Sequence, residues 1–579
     1  MKMVNLIINN VKVTVEENTS ILKAAKKFNM NIPTLCYYED LGIKSDCRVC
    51  VVQVEGKKGL VSSCSTPVSE GMVVYTNSAR VLNARKTIVE LILSNHDVKC
   101  TTCIKNMRCE LQNLAKNLGI DENRFPSVFE RQPIDDNNPS IVRDPNLCIK
   151  CGRCVDVCNN VQGTSVLAFY GRGHETRVSA VFDEHLSDAF CTLCGQCASV
   201  CPVGAITEKD DTDLVWKALA DPNKHVIVQV APAVRVSLGE EVGQKIGTIV
   251  TGKMVSAMKI LGFDQVFDTD FTADLTILEE GNELIHRITN GGVLPMMTSC
   301  CPGWINFAET RYPDILDHIS SCKSPQQMFG SLAKSFYPQK IGLDPKDIFV
   351  VSVMPCTAKK YEAKRTEMSV DGENPDIDVV LTTRELGKMI KQMGIDFENL
   401  DEKPFDSPFG ITTGAGAIFG ATGGVMEAAI RTVYEVVNKK PLESLDFKEL
   451  RGLEGIKEAE INLNGTMVKV AVAHTLSMAK VLSEQVRNGT SPYTFIEIMT
   501  CPGGCIGGGG QPYGTTNKTR LDRISAIYEV DAGMPLRKSH ENPEVLALYK
   551  DFLKEPLGKL SHHLLHTYYH NRNNKSQTR

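Results

Sequence analysis

The spacing of its cysteines constrains this chain more than any other feature. Nineteen of the 21 cysteines fall into five groups, each holding the three or four sulfurs that an iron–sulfur cluster needs. In a reducing compartment, cysteines at short spacing are metal ligands far more often than disulfides. A chain of 579 residues is too long for one core, so several domains are expected. The net charge of -5 argues against nucleic acid as a partner, which selects a basic face. No run of about 18 apolar residues occurs, so no membrane span is expected. The N-terminus reaches Asn9-Asn10 too soon for a signal-peptide core, and a cytoplasmic location is expected.

Residues 3 to 15 alternate apolar and polar around Asn9-Asn10, which implies a β-hairpin with a tight turn. Thr19-Ser20 offers an N-cap for a helix from Ile21 to Phe28. Cys36, Cys47, Cys50 and Cys64 follow in loop sequence, and four thiolates satisfy two irons. Residues 1–79 are therefore expected to form a ferredoxin-like β-grasp domain with a [2Fe-2S] cluster, although the C-x10-C-x2-C-x13-C spacing departs from the plant type. A helix from Ala79 to Leu93 leads to His96, Cys100, Cys103 and Cys109, in the segment 80–126. Three cysteines leave a cubane one ligand short, and the imidazole of His96 can supply it. Cys3His is also a zinc pattern, and the iron-rich company on both sides favours a [4Fe-4S] cluster.

In residues 127–210, Cys148, Cys151, Cys154 and Cys158, then Cys191, Cys194, Cys197 and Cys201, repeat the bacterial two-cubane ferredoxin run. The fourth cysteine of each run in that pattern serves the other cluster. Cys201 should join the first three and Cys158 the second three. From residue 211 to 579, β-rich runs (225–230, 348–353, 468–472) alternate with helical patterns (252–261, 383–393). That alternation implies an α/β domain with largely parallel sheets, so the whole chain is multidomain α+β and α/β. Polar stretches at 366–378 and 396–409 read as surface loops. The glycines from Gly414 to Gly420 miss the dinucleotide-binding count by one residue. Cys301, Cys356, Cys501 and Cys505 supply four more thiolates, brought from three distant segments, and the Gly507–Gly510 run implies crowded backbone beside them.

The segments 298–303, 354–360 and 499–512 closely resemble the signatures of the [FeFe]-hydrogenases, as do 414–427 and Lys538 to Asn542. The resemblance runs over essentially the whole chain and makes 211–579 an H-cluster domain. It implies an H-cluster: a [4Fe-4S] cubane held by Cys301, Cys356, Cys501 and Cys505, bridged through Cys505 to a di-iron unit with CO, cyanide and azadithiolate ligands. One [2Fe-2S] and three accessory [4Fe-4S] clusters would then feed electrons to it. Lys359 matches the residue that donates to a cyanide. Pro232, Ser324, Pro325, Gln326, Met354, Phe419 and Met499 fall where the family lines the di-iron pocket. Cys300 matches the proton-passing thiol, and Glu280, Ser320, Glu283 and Arg287 match the relay beyond it. Cys322 is a spare thiol without an assigned role.

The implied reaction is 2 H⁺ + 2 e⁻ ⇌ H₂, with maturation machinery supplying the di-iron unit. The N-terminal half also resembles the large iron–sulfur subunit of respiratory complex I, and iron–sulfur assembly factors share the H-cluster domain. Ferredoxin is an expected electron partner. The tail from Leu560 to His566 resembles hydrogenase subunits of NAD(P)-linked, electron-bifurcating complexes, which would bring NAD(P)-binding flavin and iron–sulfur subunits; a free-standing ferredoxin hydrogenase is the alternative. The tail histidines, among them His562, His563, His566 and His570, read as part of an amphipathic docking segment.

Overall fold

A computed structural model describes residues 2–127 and 130–573. Five strands open the chain: β1 (Met3–Ile8), β2 (Val11–Glu16), β3 (Val51–Val54), β4 (Val61–Ser62) and β5 (Val73–Tyr75), in the order β2-β1-β5-β3-β4. Asn9 and Asn10 both have positive φ, 47° and 67°, as a two-residue hairpin turn requires, and asparagine tolerates that region. Val4, Leu6 and Ile8 on β1 share a buried face with Val13 and Val15 on β2. The helix Ile21–Lys27 starts where Ser20 Oγ accepts from the backbone N–H of Lys23 at 3.3 Å. The next helix, Ala79–Leu93, is capped in the same way by Ser78.

Four short strands follow: β6 (Ile141–Arg143), β7 (Leu167–Tyr170), β8 (Arg177–Ala180) and β9 (Ile206–Glu208). β6 pairs with β9 and β7 with β8, both antiparallel, so the two cysteine runs lie between paired ends. The remaining strands are β10 (His225–Val230), β11 (Gln265–Asp268), β12 (Met296–Met297), β13 (Ile348–Met354), β14 (Val379–Thr382), β15 (Ile456–Leu463), β16 (Thr466–His474) and β17 (Phe495–Met499). They form two four-stranded sheets, β11-β10-β13-β14, wholly parallel, and β12-β17-β16-β15, in which only the β15–β16 pair is antiparallel. Strands with both faces covered read as unbroken apolar runs, which is why β10 and β13 are visible in the sequence.

Both sheets aim their carboxyl ends at one place. β10 runs out at Ala231-Pro232, β13 at Pro355-Cys356, β12 at Ser299-Cys300-Cys301, and β17 at Thr500-Cys501. Ligands in parallel α/β sheets bind beyond such ends. The fold therefore brings three remote cysteine segments together by strand direction alone.

Two expectations need correction. The stretches 366–378 and 396–409 are not simply surface loops, because Met368, Asp376, Ile377, Phe397 and Phe409 are buried. Phe409 stands among Phe267, Phe271 and Phe329 with ring centroids 5.3, 5.1 and 5.6 Å away. A polar average hides a single aromatic anchor. The C-terminal tail is committed to its own chain: the helix Lys559–Leu565 buries Leu564 and Leu565, and His566 is 6% exposed. The backbone N–H groups of Lys323 and Thr567 donate across to Leu565 O and Ser321 O at 2.7 Å. Phe409→Ala should remove about 3–5 kcal/mol of packing and lower the thermal midpoint of the protein. An unchanged midpoint would show that the loop is not pinned there.

Candidate metal centre

A cavity lies where the strand ends meet, and its wall contains Cys300, Cys301, Cys356, Cys501 and Cys505. Pro232, Pro325, Gln326, Met354, Phe419, Met499 and Lys359 share that wall. Two helices begin at it, Pro302–Arg311 directly after Cys301 and Pro325–Ile341 after Ser324, each with proline in its first turn. Their N-terminal dipoles favour negative charge in the cavity. Glycine is required around it: a Cβ on Gly508 would stand 2.1 Å from Pro355 O, and one on Gly509 2.2 Å from Cys194 O. Backbone meets backbone there, with no room for a side chain.

The donor set fits a metal cluster. Burial pushes the thiols of Cys356, Cys501 and Cys505 up, and the neighbouring sulfurs push them further. Thiolates cannot gather in so dry a place unless positive charge lies among them, and iron supplies it. No disulfide joins any cysteine among the described residues.

Lys359 is buried against this wall. Burial disfavours its charge, but Glu362 prevails and its pKa lies above the ordinary value. Its ammonium donates to Glu362 Oε2 at 2.8 Å, to Ser324 Oγ at 2.7 Å and to Cys300 O at 3.2 Å. Glu362 also accepts from Gln326 Nε2 at 3.0 Å and from Ser324 Oγ at 2.9 Å. Ser324 thus sits behind Lys359, outside the cavity wall. Glu362 went unnoticed in the sequence; its one signal is the i+3 spacing from Lys359 on a helix.

On the other side, Cys300 faces a buried acidic line on the helix Thr269–Asn290. Burial, then the charge of Glu283, raises Glu280 to about 8, against the opposing effects of Ser320 and the Ser299 backbone N–H. A carboxyl with that pKa is protonated at neutral pH and can hand a proton on. Glu280 Oε1 has no hydrogen-bond partner among the described residues, an orphan polar atom that suits an ordered water. Ser320 Oγ donates to Glu283 Oε2 at 2.8 Å, and Arg287 pairs with Glu283 at 2.6 Å.

The accessory sulfurs assemble in separate places. Cys148, Cys151, Cys154 and Cys201 line one cavity, which brings the last cysteine of the second run to the first. Cys158 acts electrostatically on Cys194 and Cys197. In the N-terminal group, Cys50 and Cys64 lie 3.4 Å apart, and Cys36 is hydrogen-bonded to Cys47. Cys100 and Cys103 lie close enough to act on Cys109. His96 is buried, and Nδ1 meets Leu147 O at 3.1 Å, so a proton on Nδ1 leaves Nε2 with its lone pair.

These places touch. A Cβ on Gly204 would come 2.8 Å from Cys103 Sγ, and Lys105 Nζ reaches Cys201 O at 3.2 Å. Thr357 Oγ1 donates to Leu193 O at 2.7 Å, and Gln196 Nε2 to Gly507 O at 2.9 Å. Arg384 pairs with Glu208 at 2.6 Å and also reaches Gly509 O at 2.8 Å. Thr357, Gln196 and Arg384 lock the two-run module onto the last cysteine group, and no sequence motif marks them.

Residues 224–509 match the family described as iron only hydrogenase large subunit, C-terminal domain, and 517–572 match iron hydrogenase small subunit. Residues 1–79 match a 2Fe-2S iron-sulfur cluster binding domain. Residues 85–124 match the NADH-ubiquinone oxidoreductase-G iron-sulfur binding region, and 138–207 the ferredoxin-like domain of NADH-quinone oxidoreductase subunit 3. The NADP-reducing hydrogenase subunit HndD of Solidesulfovibrio fructosivorans is 49% identical over 99% of this chain and 100% of its own length. Iron hydrogenase 1 of Clostridium pasteurianum is 42% identical over 98% and 100%. Among solved structures, a variant of [FeFe]-hydrogenase HydA1 from Chlamydomonas reinhardtii superposes with a TM-score of 0.57 and 43% identity, covering 63% of this chain and 99% of that one. A sulfur-lined cavity at the strand ends, iron–sulfur domains ahead of it and full-length identity to two hydrogenases together place this chain in the iron-only, or [FeFe]-, hydrogenase family, whose reaction joins protons and electrons into H₂ reversibly.

Proposed function

We propose that this chain is the hydrogen-converting subunit of a multi-subunit, NADP-linked hydrogenase acting in the cytoplasm. The observation that carries the reading is the alignment with HndD over the whole of both chains. Iron hydrogenase 1 aligns end to end as well, under a name that mentions no subunit, so a free-standing enzyme served by ferredoxin is the second reading. We divide the chain at residues 79, 126 and 210 into one [2Fe-2S] domain, a His96-ligated cubane domain, a two-cubane domain and the catalytic domain.

In this reading Cys301, Cys356, Cys501 and Cys505 would hold the H-cluster. That group would supply the chemistry that makes and breaks the H–H bond when bound. The chain positions and charges it. Lys359 sets a fixed cation at the cavity wall, and Glu362 keeps it protonated and aimed. Pro232, Pro325, Phe419, Met354 and Met499 keep water out, which strengthens every polar contact inside. Cys300 carries a proton between the cavity and Glu280, and Ser320 and Glu283 carry it outward. Electrons arrive from the opposite side, where Thr357 and Gln196 join the second cysteine run to the loops of Cys356 and Cys505. Keeping the two routes apart lets each be gated by its own residues.

Cys300→Ala should retain the full iron complement and lose H₂ turnover by about 10²–10⁴-fold, the scale of one positioned proton-transfer group. Wild-type turnover with that alanine would remove Cys300 from the relay. His96→Cys should keep a cubane and lower its potential, because a thiolate adds negative charge where a neutral imidazole stood. Potentiometric titration followed by electron paramagnetic resonance reads the shift, and zinc at that site by anomalous scattering would overturn the assignment. Purification from the native cell should bring flavin-containing subunits with the chain and give NADPH-dependent turnover. Rapid turnover with reduced ferredoxin and no companion subunit would leave the free-standing enzyme.

A further inference from the structure

Arg287 is a poor place for a proton route to end. All five of its N–H bonds are engaged: two on Glu283, at 3.1 and 2.6 Å, and one each on Val293 O, Asp317 O and Ile319 O. A guanidinium does not deprotonate in proteins, so it holds Glu283 in place and relays nothing. Glu283 therefore needs another neighbour that can take a proton on one side and give one on the other.

The spare thiol and the tail histidine stand there. Cys322 Sγ lies 3.7 Å from Glu283 Oε2 and 4.0 Å from His566 Nδ1. Ligand atoms of Glu283, Cys322 and His566 all lie within 4.8 Å of one another, and all three residues are buried. A backbone bridge between Cys322 and His566 fixes the pair. Ser321 Oγ meets His566 Nδ1 at 2.8 Å, and Ser321 itself is half-buried, at the edge of solvent. On its far side His566 Nε2 meets Glu279 Oε2 at 3.2 Å. Glu279 is anchored by Tyr549 OH at 2.5 Å and by the backbone N–H of Leu557 at 2.9 Å. A carboxylate behind an imidazole fixes its tautomer and orientation.

We infer that Cys322 and His566 form a second arm of the proton relay, joining Glu283 to the surface through Ser321. The inference rests on the reading that Glu283 carries protons. Toward the cavity, the Ser321 hydroxyl passes its proton to His566 Nδ1 and takes one from water. The imidazolium gives that proton to Cys322 Sγ as the thiol releases its own to Glu283 Oε2. One proton has moved inward, and Ser321, His566 and Cys322 have regained their starting states. The reverse sequence serves H₂ oxidation. The charged and titratable groups facing His566 are Glu279 and Glu283 from the helix Thr269–Asn290, Cys322 from its bridge partner, and His562, whose ring stacks on it at 4.7 Å. Arg287 reaches it only through Glu283.

The test uses the mature holoenzyme with Cys322→Ala and His566→Gln, assayed with reduced viologen across pH in H₂O and D₂O, beside Cys300→Ala. Each of the first two should lose H₂ turnover on the order of 10²-fold, the low end of what a positioned proton carrier supplies. Each should also raise the solvent isotope effect and shift the pH profile, while the infrared bands of the bound diatomic ligands stay put. Parental turnover in Cys322→Ala, with Cys300→Ala inactive, overturns the second arm and leaves the first relay standing. A loss without change in pH profile or isotope effect also overturns it, since packing alone would do that. An active Cys300→Ala would sink the underlying relay reading instead. If His566→Gln fails to fold, Cys322→Ala decides.

Discussion

Buried sulfurs that repel one another are the constraint on which the molecule depends. Cys356, Cys501 and Cys505 sit in a dry wall where ionisation is costly for each and costlier for the group. A polypeptide can bring such groups together only if something positive later settles among them. The surrounding architecture serves that end: parallel strands that deliver the sulfurs, helix N-termini that favour negative charge, and Lys359 held charged by Glu362.

Gly509 sets how close the modules come, and Gly508 packs the same loop against its own domain. Pro355 O and Cys194 O occupy the space where their side chains would be. Distance governs electron transfer, so the contact between the second cysteine run and the last group is made with bare backbone, the thinnest partition a protein can build. Arg384, paired with Glu208 in full burial, clamps the same junction from the side.

Much of this was legible because its signals are local. Short cysteine spacing, a two-asparagine turn and an apolar run for a two-sided strand each declare themselves within ten or fifteen residues. The convergence of Cys301, Cys356 and Cys501 could be inferred from a count of four remaining thiolates but not from spacing, since no spacing rule reaches across 200 residues. The interactions that the sequence hid are tertiary ones. Glu362 looks like any surface acid until Lys359, Ser324 and Gln326 are seen around it. Phe409 was masked by polar neighbours, although its ring stands in an aromatic core. The tail reads as an amphipathic docking segment, but the surface it docks on is the extended segment from Ser321 to Lys323 of its own chain.

The order of the sulfurs along the chain has a consequence for biosynthesis. The first four groups are each complete within a short stretch, or, for the paired runs, within about one small domain, so their clusters can be filled while the ribosome is still working. The last group is different. Its cage does not exist until residue 505 has been made and β17 has joined its sheet, because Cys501 and Cys505 follow that strand. The sulfur cages of the first four groups can therefore be assembled before the last one can begin to form.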